Sequence, residues 1–182
     1  RFLEADAQTH AFAPASVDVV FSRFGVMFFS DPHAAFANLA RALAPGGRVA
    51  FTCWRALADN PWMTVPLFAA LQHVPPPPIP APDAPGPFAF ADAHRVRGIL
   101  ADAGLAEITF EVRHDTLTLG GSLEAAVDFV MQMGPTSIVI RQADPETVKR
   151  VAASIGGALA PYLTPNGVAM PSASWIVTAR RL

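Results

Sequence analysis

The apolar positions of this chain change rhythm from one segment to the next. VDVVFSRFGVMFF (residues 17–29) opens as an almost unbroken β-branched and aromatic run. Such a run predicts a strand buried on both faces, as in a parallel sheet. In SDPHAAFANLARALAPGG (30–47), Phe36, Leu39, Ala40 and Leu43 fall at i, i+3, i+4 and i+7 and mark one helix face. Asp31 is placed to cap that helix, Pro32 to take its first position, and Pro45-Gly46 to stop it. RVAFTCW (48–54) reads as the next strand. Strand, helix and strand in this order predict a parallel pair joined by a right-handed crossover.

The rhythm continues downstream. NPWMTVPLFAALQHV (60–74) predicts a helix capped by Asn60, opened by Pro61 and interrupted or kinked at Pro66. PPPPIPAPDAPGPFAF (75–90) should run extended, as a spacer or as a lid beside a site. In DAHRVRGILADAG (92–104), Val96, Ile99, Leu100 and Ala103 share a face that Gly104 ends. LAEITFEVRHDTLTL (105–119) alternates Ile108, Phe110 and Val112 with polar residues, the mark of a half-exposed strand. SLEAAVDFVMQMG (122–134) reads as a helix behind Ser122. DPETVKRVAASIGGALAPYL (144–163) reads as another, weakened at Gly156-Gly157. ASWIVTARR (173–181) closes the chain as a strand, and RFLEADA (1–7) reads like the end of one. The whole is an α/β pattern without internal repeats.

Composition narrows the class. The chain has 182 residues, 52% of them apolar, with 13 basic against 15 acidic side chains. There is no basic run, so no nucleic-acid partner is expected. No apolar stretch approaches the ~20 residues of a membrane span. A lone cysteine, Cys53, fits a reducing, cytoplasmic setting. Lysine occurs once, at Lys149, while alanine, arginine and proline abound, a bias of GC-rich bacterial coding. The five histidines are scattered without metal spacing, and no metal site is expected. His33, at the first turn of a helix, is the one histidine placed to serve as a base. No side chain stands out as catalytic.

ADAQTHAFAPASVDVVFSRFGVMFFSDPHAAFANLARALAPGGRVAFTCW (5–54) resembles the second half of a class I S-adenosylmethionine-dependent methyltransferase core. Within that superfamily it is most similar to the ubiquinone/menaquinone-biosynthesis-like small-molecule group. The similarity is dense over 3–54 and looser through GPFAFADAHRVRGILADAGL. The resemblance implies a Rossmann-like sheet with 1–54 and 88–119 as its core. A proline-rich segment (55–87), a helical insertion (120–165) and a last strand (166–182) complete one domain. It implies that Asp6 binds the adenine amino group of S-adenosylmethionine, helped by Ala7 and Gln8. Ser22, Arg23 and Phe24 would then lie beside the methionine part. Aromatic faces attract a sulfonium, so Phe24, Phe28 and Phe29 are candidates for the methyl-transfer pocket. Trp54, Trp62 and Met63 are candidates for the acceptor's apolar wall. Arg23, a charge just past a buried strand, is expected to have a carboxylate partner.

The resemblance also shows what this sequence does not contain. The family's glycine-rich loop follows its first strand, and an acidic residue on its second holds the ribose. Gly46-Gly47, Gly120-Gly121 and Gly156-Gly157 all sit in other contexts. The expectation is an incomplete sheet, with the family's first and second strands absent. The strand from residue 17 would then have an exposed apolar edge, and the cofactor site would be half a site with impaired activity. The chain is expected to be a fragment, or to borrow strands from a second copy through that edge.

The implied reaction is methyl transfer to a small, partly apolar O, N or C nucleophile. Two rivals remain at this level. One is a nucleotide-dependent Rossmann oxidoreductase, since crossover units alone do not fix function; no Tyr-x-x-x-Lys pair supports it. The other is a non-catalytic binding module built on a degenerate methyltransferase fold.

Overall fold

Asp31 starts the helix that organises one half of the molecule. Its side chain accepts a hydrogen bond from Ala34 N (3.0 Å), and Pro32 takes the first helical position. The computed structural model describes residues 2–78, 81 and 84–182. They form two compact units: Arg1–Ala56, Ala81–Arg113 and Ser174–Leu182 in one, Leu57–Pro80 and His114–Ala173 in the other. The helices are α1 (Pro32–Ala42), α2 (Pro61–Ala70), α3 (Ala93–Asp102), α4 (Leu123–Gln132), α5 (Gly134–Val139) and α6 (Pro145–Leu159). The strands are β1 (Val17–Arg23), β2 (Leu43–Trp54), β3 (Leu105–Gly120), β4 (Leu163–Thr164) and β5 (Gly167–Arg181).

In the first unit, β1 and β2 run parallel, with Val20 opposite Val49 and Ser22 opposite Phe51. That is the crossover the sequence predicts. β5 lies antiparallel on the other side of β2, pairing Val177 with Phe51 and Trp175 with Cys53. The sheet order is β1-β2-β5-β3, with β4 beside β5. One face of this sheet carries the core. Phe36 and Leu39 of α1 and Val96, Ile99 and Leu100 of α3 pack with Val49, Phe51, Cys53 and Val177. Phe36 sits 5.6 Å from Phe51 and 6.0 Å from Phe90, ring to ring.

Several expectations change. β1 is not buried on both faces: Val19 is 59% and Phe21 69% exposed, and among the described residues β1 is an edge strand paired only with β2. It also ends at Arg23, and residues 26–28 form a short 3-10 turn. Residues 2–5 carry no strand. Pro45-Gly46 does not stop α1, which ends three residues earlier, at Ala42. Leu43 is fully buried and already extended (φ −65°, ψ 141°), and the proline ring bars Ala44 from helical geometry. The Pro-Gly-Gly triplet instead bulges from β2, so the register jumps from Val17–Leu43 to Val19–Arg48. Gly46 has a positive φ of 77°. A Cβ on Gly47 would lie 2.8 Å from the Ala44 carbonyl oxygen. The Arg181 guanidinium donates to the carbonyls of Ala40 (3.1 Å), Arg41 (3.0 Å) and Leu43. It thereby satisfies acceptors that the end of α1 leaves unpaired.

In the second unit, α2 packs with α5 and α6, and α4 packs with α5 and α6. Pro66 lies inside α2 without ending it. Asn60 precedes α2 but makes no side-chain cap. α6 runs unbroken through Gly156-Gly157, with Val151, Ile155 and Leu159 buried along one face. α5 and β4 have no counterpart in the sequence reading. Part of the 75–90 segment lies outside the described residues; 75–78 have no regular structure. Among the described residues, no helix is long and apolar enough to cross a membrane.

Candidate functional site

The parallel strands β1 and β2 point their carboxyl ends the same way, and ligands of open α/β sheets bind at such ends. Ser22, Arg23 and Phe24 stand at the end of β1, and Trp54 at the end of β2. Phe24 turns the chain there. Its backbone is left-handed (φ 55°), which is uncommon for a residue with a large side chain. Its N–H donates to Thr52 O at 3.1 Å. The turn lays the Phe24 ring on Trp54, with centroids 4.1 Å apart and planes inclined by 19°. Nearby, Trp175 Nε1 donates to Ala91 O (3.0 Å), and the Arg55 guanidinium lies 4.6 Å from the Trp175 ring centre. Thr52 Oγ1 is enclosed and, among the described residues, has no hydrogen-bond partner.

The Asp6 loop is built differently. Asp6 Oδ1 accepts from Gln8 N at 2.8 Å, and Asp6 O accepts from Thr9 N and His10 N. Asp6 itself is exposed, and its second carboxylate oxygen engages no donor among the described residues. The loop is held to α1 by side chains. Asn38 Nδ2 donates to Ala7 O (3.0 Å) and His10 O (2.8 Å). Arg41 donates to Phe12 O (2.8 Å) and Asn38 Oδ1 (2.7 Å). Gln8 Oε1 accepts from Ser30 Oγ (3.1 Å) and Asp31 N (3.0 Å).

The structure brings two of the predicted site residues into one groove. Ala7 and Ser22 line a hollow of about 460 Å³ with Phe12, Gly25, Val26 and Phe29 along β1. Arg23 is exposed and, among the described residues, has no carboxylate partner; it ends an edge strand, where water solvates the charge. Phe28 is 55% exposed. Trp62 and Met63 are buried in the second unit, where Trp62 Nε1 donates to Asn60 Oδ1 (3.3 Å). His33 faces Asp102 across α1 and α3 (3.3 Å), with both side chains more than half exposed. Cys53 is enclosed, and burial pushes its thiol up to about 12, so it is no nucleophile at neutral pH. The holding roles of Asn38 and Arg41 escaped sequence reasoning. Their only signal was that both fall off the apolar stripe of α1, spaced i, i+3.

The chain is similar to known proteins in sequence and in fold. A family model described as a methyltransferase domain matches residues 1–51. The chain is 47% identical over 49 residues to the demethylmenaquinone methyltransferase of Thermus thermophilus, which is 27% of this chain and 22% of that protein. It is 41% identical over 54 residues to an uncharacterized protein of Mycobacterium tuberculosis, 30% of this chain and 20% of that one. The matched region thus spans about a fifth of the length of these curated relatives. Among solved structures, a Bacillus halodurans protein assigned to the methyltransferases superposes with a TM-score of 0.57. That match has 13% identity and covers 99% of this chain and 76% of that one. The YcgJ protein of Bacillus subtilis gives 0.54 at 14% identity, over 100% and 70%. The first 51 residues therefore carry a methyltransferase-domain signature, and the fold is the Rossmann-like α/β fold of class I methyltransferases.

Proposed function

We propose that this chain serves S-adenosylmethionine-dependent methyl transfer to a small, partly apolar acceptor. The observation that carries the reading is the Phe24 turn stacked on Trp54 at the carboxyl ends of two parallel strands. The Asp6 loop stands in the same unit, with one carboxylate oxygen that no donor among the described residues engages. These features fit the donor molecule. A carboxylate accepts from an adenine amino group, the small Ala7 lets a ring approach the groove it lines, and aromatic faces suit a sulfonium.

In this reading Asp6 and the Ala7 backbone hold the adenine, and the segment from Ser22 to Phe24 borders the methionine end. S-adenosylmethionine, when bound, supplies an electrophilic methyl group on a positively charged sulfur. The protein's part is to align the acceptor and keep water out, since such displacements depend mainly on proximity and orientation. No general base is assigned: His33 is engaged with Asp102 at the surface, and acceptors that ionise readily, or neutral amines, need none. Phe24, Trp54 and the exposed Phe28 favour an acceptor with an apolar or aromatic part. The relative from Thermus thermophilus is named for a demethylmenaquinone substrate, which makes quinones and their reduced, hydroxylated forms the acceptors for the first assays.

The oxidoreductase rival loses ground on topology. Dinucleotide-binding sheets are mostly parallel, whereas here antiparallel β5 is inserted between β2 and β3. The deciding experiment is calorimetric binding of S-adenosylmethionine and S-adenosylhomocysteine to the full-length protein and to its Asp6→Ala variant. Binding that is lost in the variant supports the reading. Equal binding removes Asp6 from the site, and no binding to the full-length wild type removes the reading.

A further inference from the structure

We propose that Asn38 and Arg41 of α1 are positioning residues that set cofactor affinity by holding the Asp6 loop in its binding shape. The inference rests on the assignment of Asp6 and Ala7 to the adenine side of the site.

The loop has no ladder of its own. Residues 6–12 belong to no strand or helix, so the sheet does not fix where Asp6 stands. Its carbonyls are instead gathered by two side chains one turn apart on α1. The Asn38 carboxamide spends both N–H groups on the loop, one on Ala7 O and one on His10 O. Its oxygen accepts from Arg41, whose other arm reaches Phe12 O. That arrangement fixes which way the carboxamide points, since a guanidinium only donates and a carbonyl only accepts. Three loop carbonyls are thus tied to one two-residue clamp. The Gln8 carboxamide ties a fourth point to Ser30 and to the N-terminus of α1.

The clamp stands on a rigid base. Phe36, Leu39 and Ala40, from the same helix, are buried in the core, and Arg181 closes the helix's far end. Ala7 is the link to the ligand. Its carbonyl takes the Asn38 bond, while the residue lines the groove and its N–H is the donor assigned to adenine. Tilting that peptide moves the N–H and the Asp6 carboxylate together. Asp in place of Asn38 would still accept from Arg41 but could not donate to either carbonyl. Lys in place of Arg41 keeps the charge but has no fork to reach two acceptors.

The test compares Asn38→Ala, Asn38→Asp and Arg41→Lys with wild type and Asp6→Ala. Three readouts are used: calorimetric Kd for S-adenosylhomocysteine, amide hydrogen exchange over residues 6–12, and the melting temperature. The expected result is faster exchange confined to 6–12 and a Kd raised about tenfold, equivalent to about 1.4 kcal/mol, in both Asn38 variants. Arg41→Lys should fall between them and wild type, and melting should be nearly unchanged. A merely structural role would lower melting and leave the Kd of the folded protein alone, which overturns the proposal. Wild-type binding that is lost in Asp6→Ala but kept in the Asn38 and Arg41 variants also overturns it and leaves the site assignment standing. All proteins are compared as the full-length protein, and failure of the full-length wild type to bind removes the site assignment and this proposal together.

Discussion

The Phe24 ring lies almost flat on that of Trp54, 4.1 Å away, and reaches it only because the Phe24 backbone is left-handed. A non-glycine residue in that region costs about 1–2 kcal/mol, and an aromatic pair returns about 0.5–1.5 kcal/mol beyond its burial. The turn therefore sits near balance, held by the stack and by the bond from Phe24 N to Thr52 O.

Two substitutions separate these contributions. Phe24→Ala keeps the backbone cost and loses the ring, so it should destabilise by about 2 kcal/mol. Phe24→Gly loses the same ring but removes the backbone cost, and should be more stable than the alanine variant by about 1 kcal/mol. Urea unfolding followed by tryptophan emission measures both, and the emission of the folded state should shift when Trp54 loses its cover. Equal stability of the two variants would mean that the turn carries no strain.

Asn60 supports a second prediction. It is fully buried. Its Oδ1 accepts from Ala173 N (3.0 Å) and Trp62 Nε1 (3.3 Å), and its Nδ2 donates to Ala173 O (3.1 Å). A carboxamide here matches a peptide group donor to acceptor and acceptor to donor. Asn60→Asp places an oxygen against the Ala173 carbonyl and a charge in a buried place, so it should cost more than Asn60→Ala. The alanine variant should lose about 2–3 kcal/mol, because the Ala173 N–H and the Trp62 indole are left without this acceptor. Denaturant midpoints at constant slope would check the order.

Asn60 also shows what the sequence could and could not reveal. Four helix starts were legible because each cap is local: Asp31, Asp92, Ser122 and Asp144 all accept from backbone N–H groups two or three residues ahead. Asn60 looks the same in sequence, yet its side chain bonds the Ala173 peptide, 113 residues away. The parallel pairing of β1 with β2 was legible from the crossover, because helix length and strand character leave few alternatives. The exposure of β1 was only half legible: the run of Val17, Val19 and Phe21 looks like interior strand, and the edge was expected from the resemblance and not from the pattern of the strand itself. For the site, residue types at the strand ends were readable. The Asn38–Arg41 clamp was not, since two polar residues on a helix look like a solvated face until the loop carbonyls are placed over them.

Cys53 gives a pH prediction. Burial pushes its thiol from the ordinary 9.0 up to about 12; its weak contact is with Phe90 O at 3.6 Å. Below pH 9 the thiol is protonated in both folded and unfolded chains and adds no pH dependence. Between about 9 and 12 the unfolded chain releases this proton and the folded one keeps it. Stability should therefore fall as pH rises through that window, by about 1.4 kcal/mol per unit. Cys53→Ala should remove that part of the slope. Unfolding free energies at pH 8, 9 and 10 for both proteins would show it, and parallel curves would refute it.

The last prediction concerns the edge of β1. An edge strand offers unpaired N–H and C=O groups, and proteins normally guard it with lysine, proline or a bulge. Here Val17, Val19 and Phe21 are all exposed, and Asp18 is the only charge among the first six residues of the strand. In water such an edge should pair with another strand, and a second copy of the chain offers the same apolar surface. Sedimentation of the 182-residue chain should thus show association that grows with concentration. Phe21→Lys should shift the chain toward monomer without lowering its melting temperature, since the Phe21 side chain is 69% exposed. A monomer at every concentration, or unaltered association in the lysine variant, would locate any self-contact away from β1.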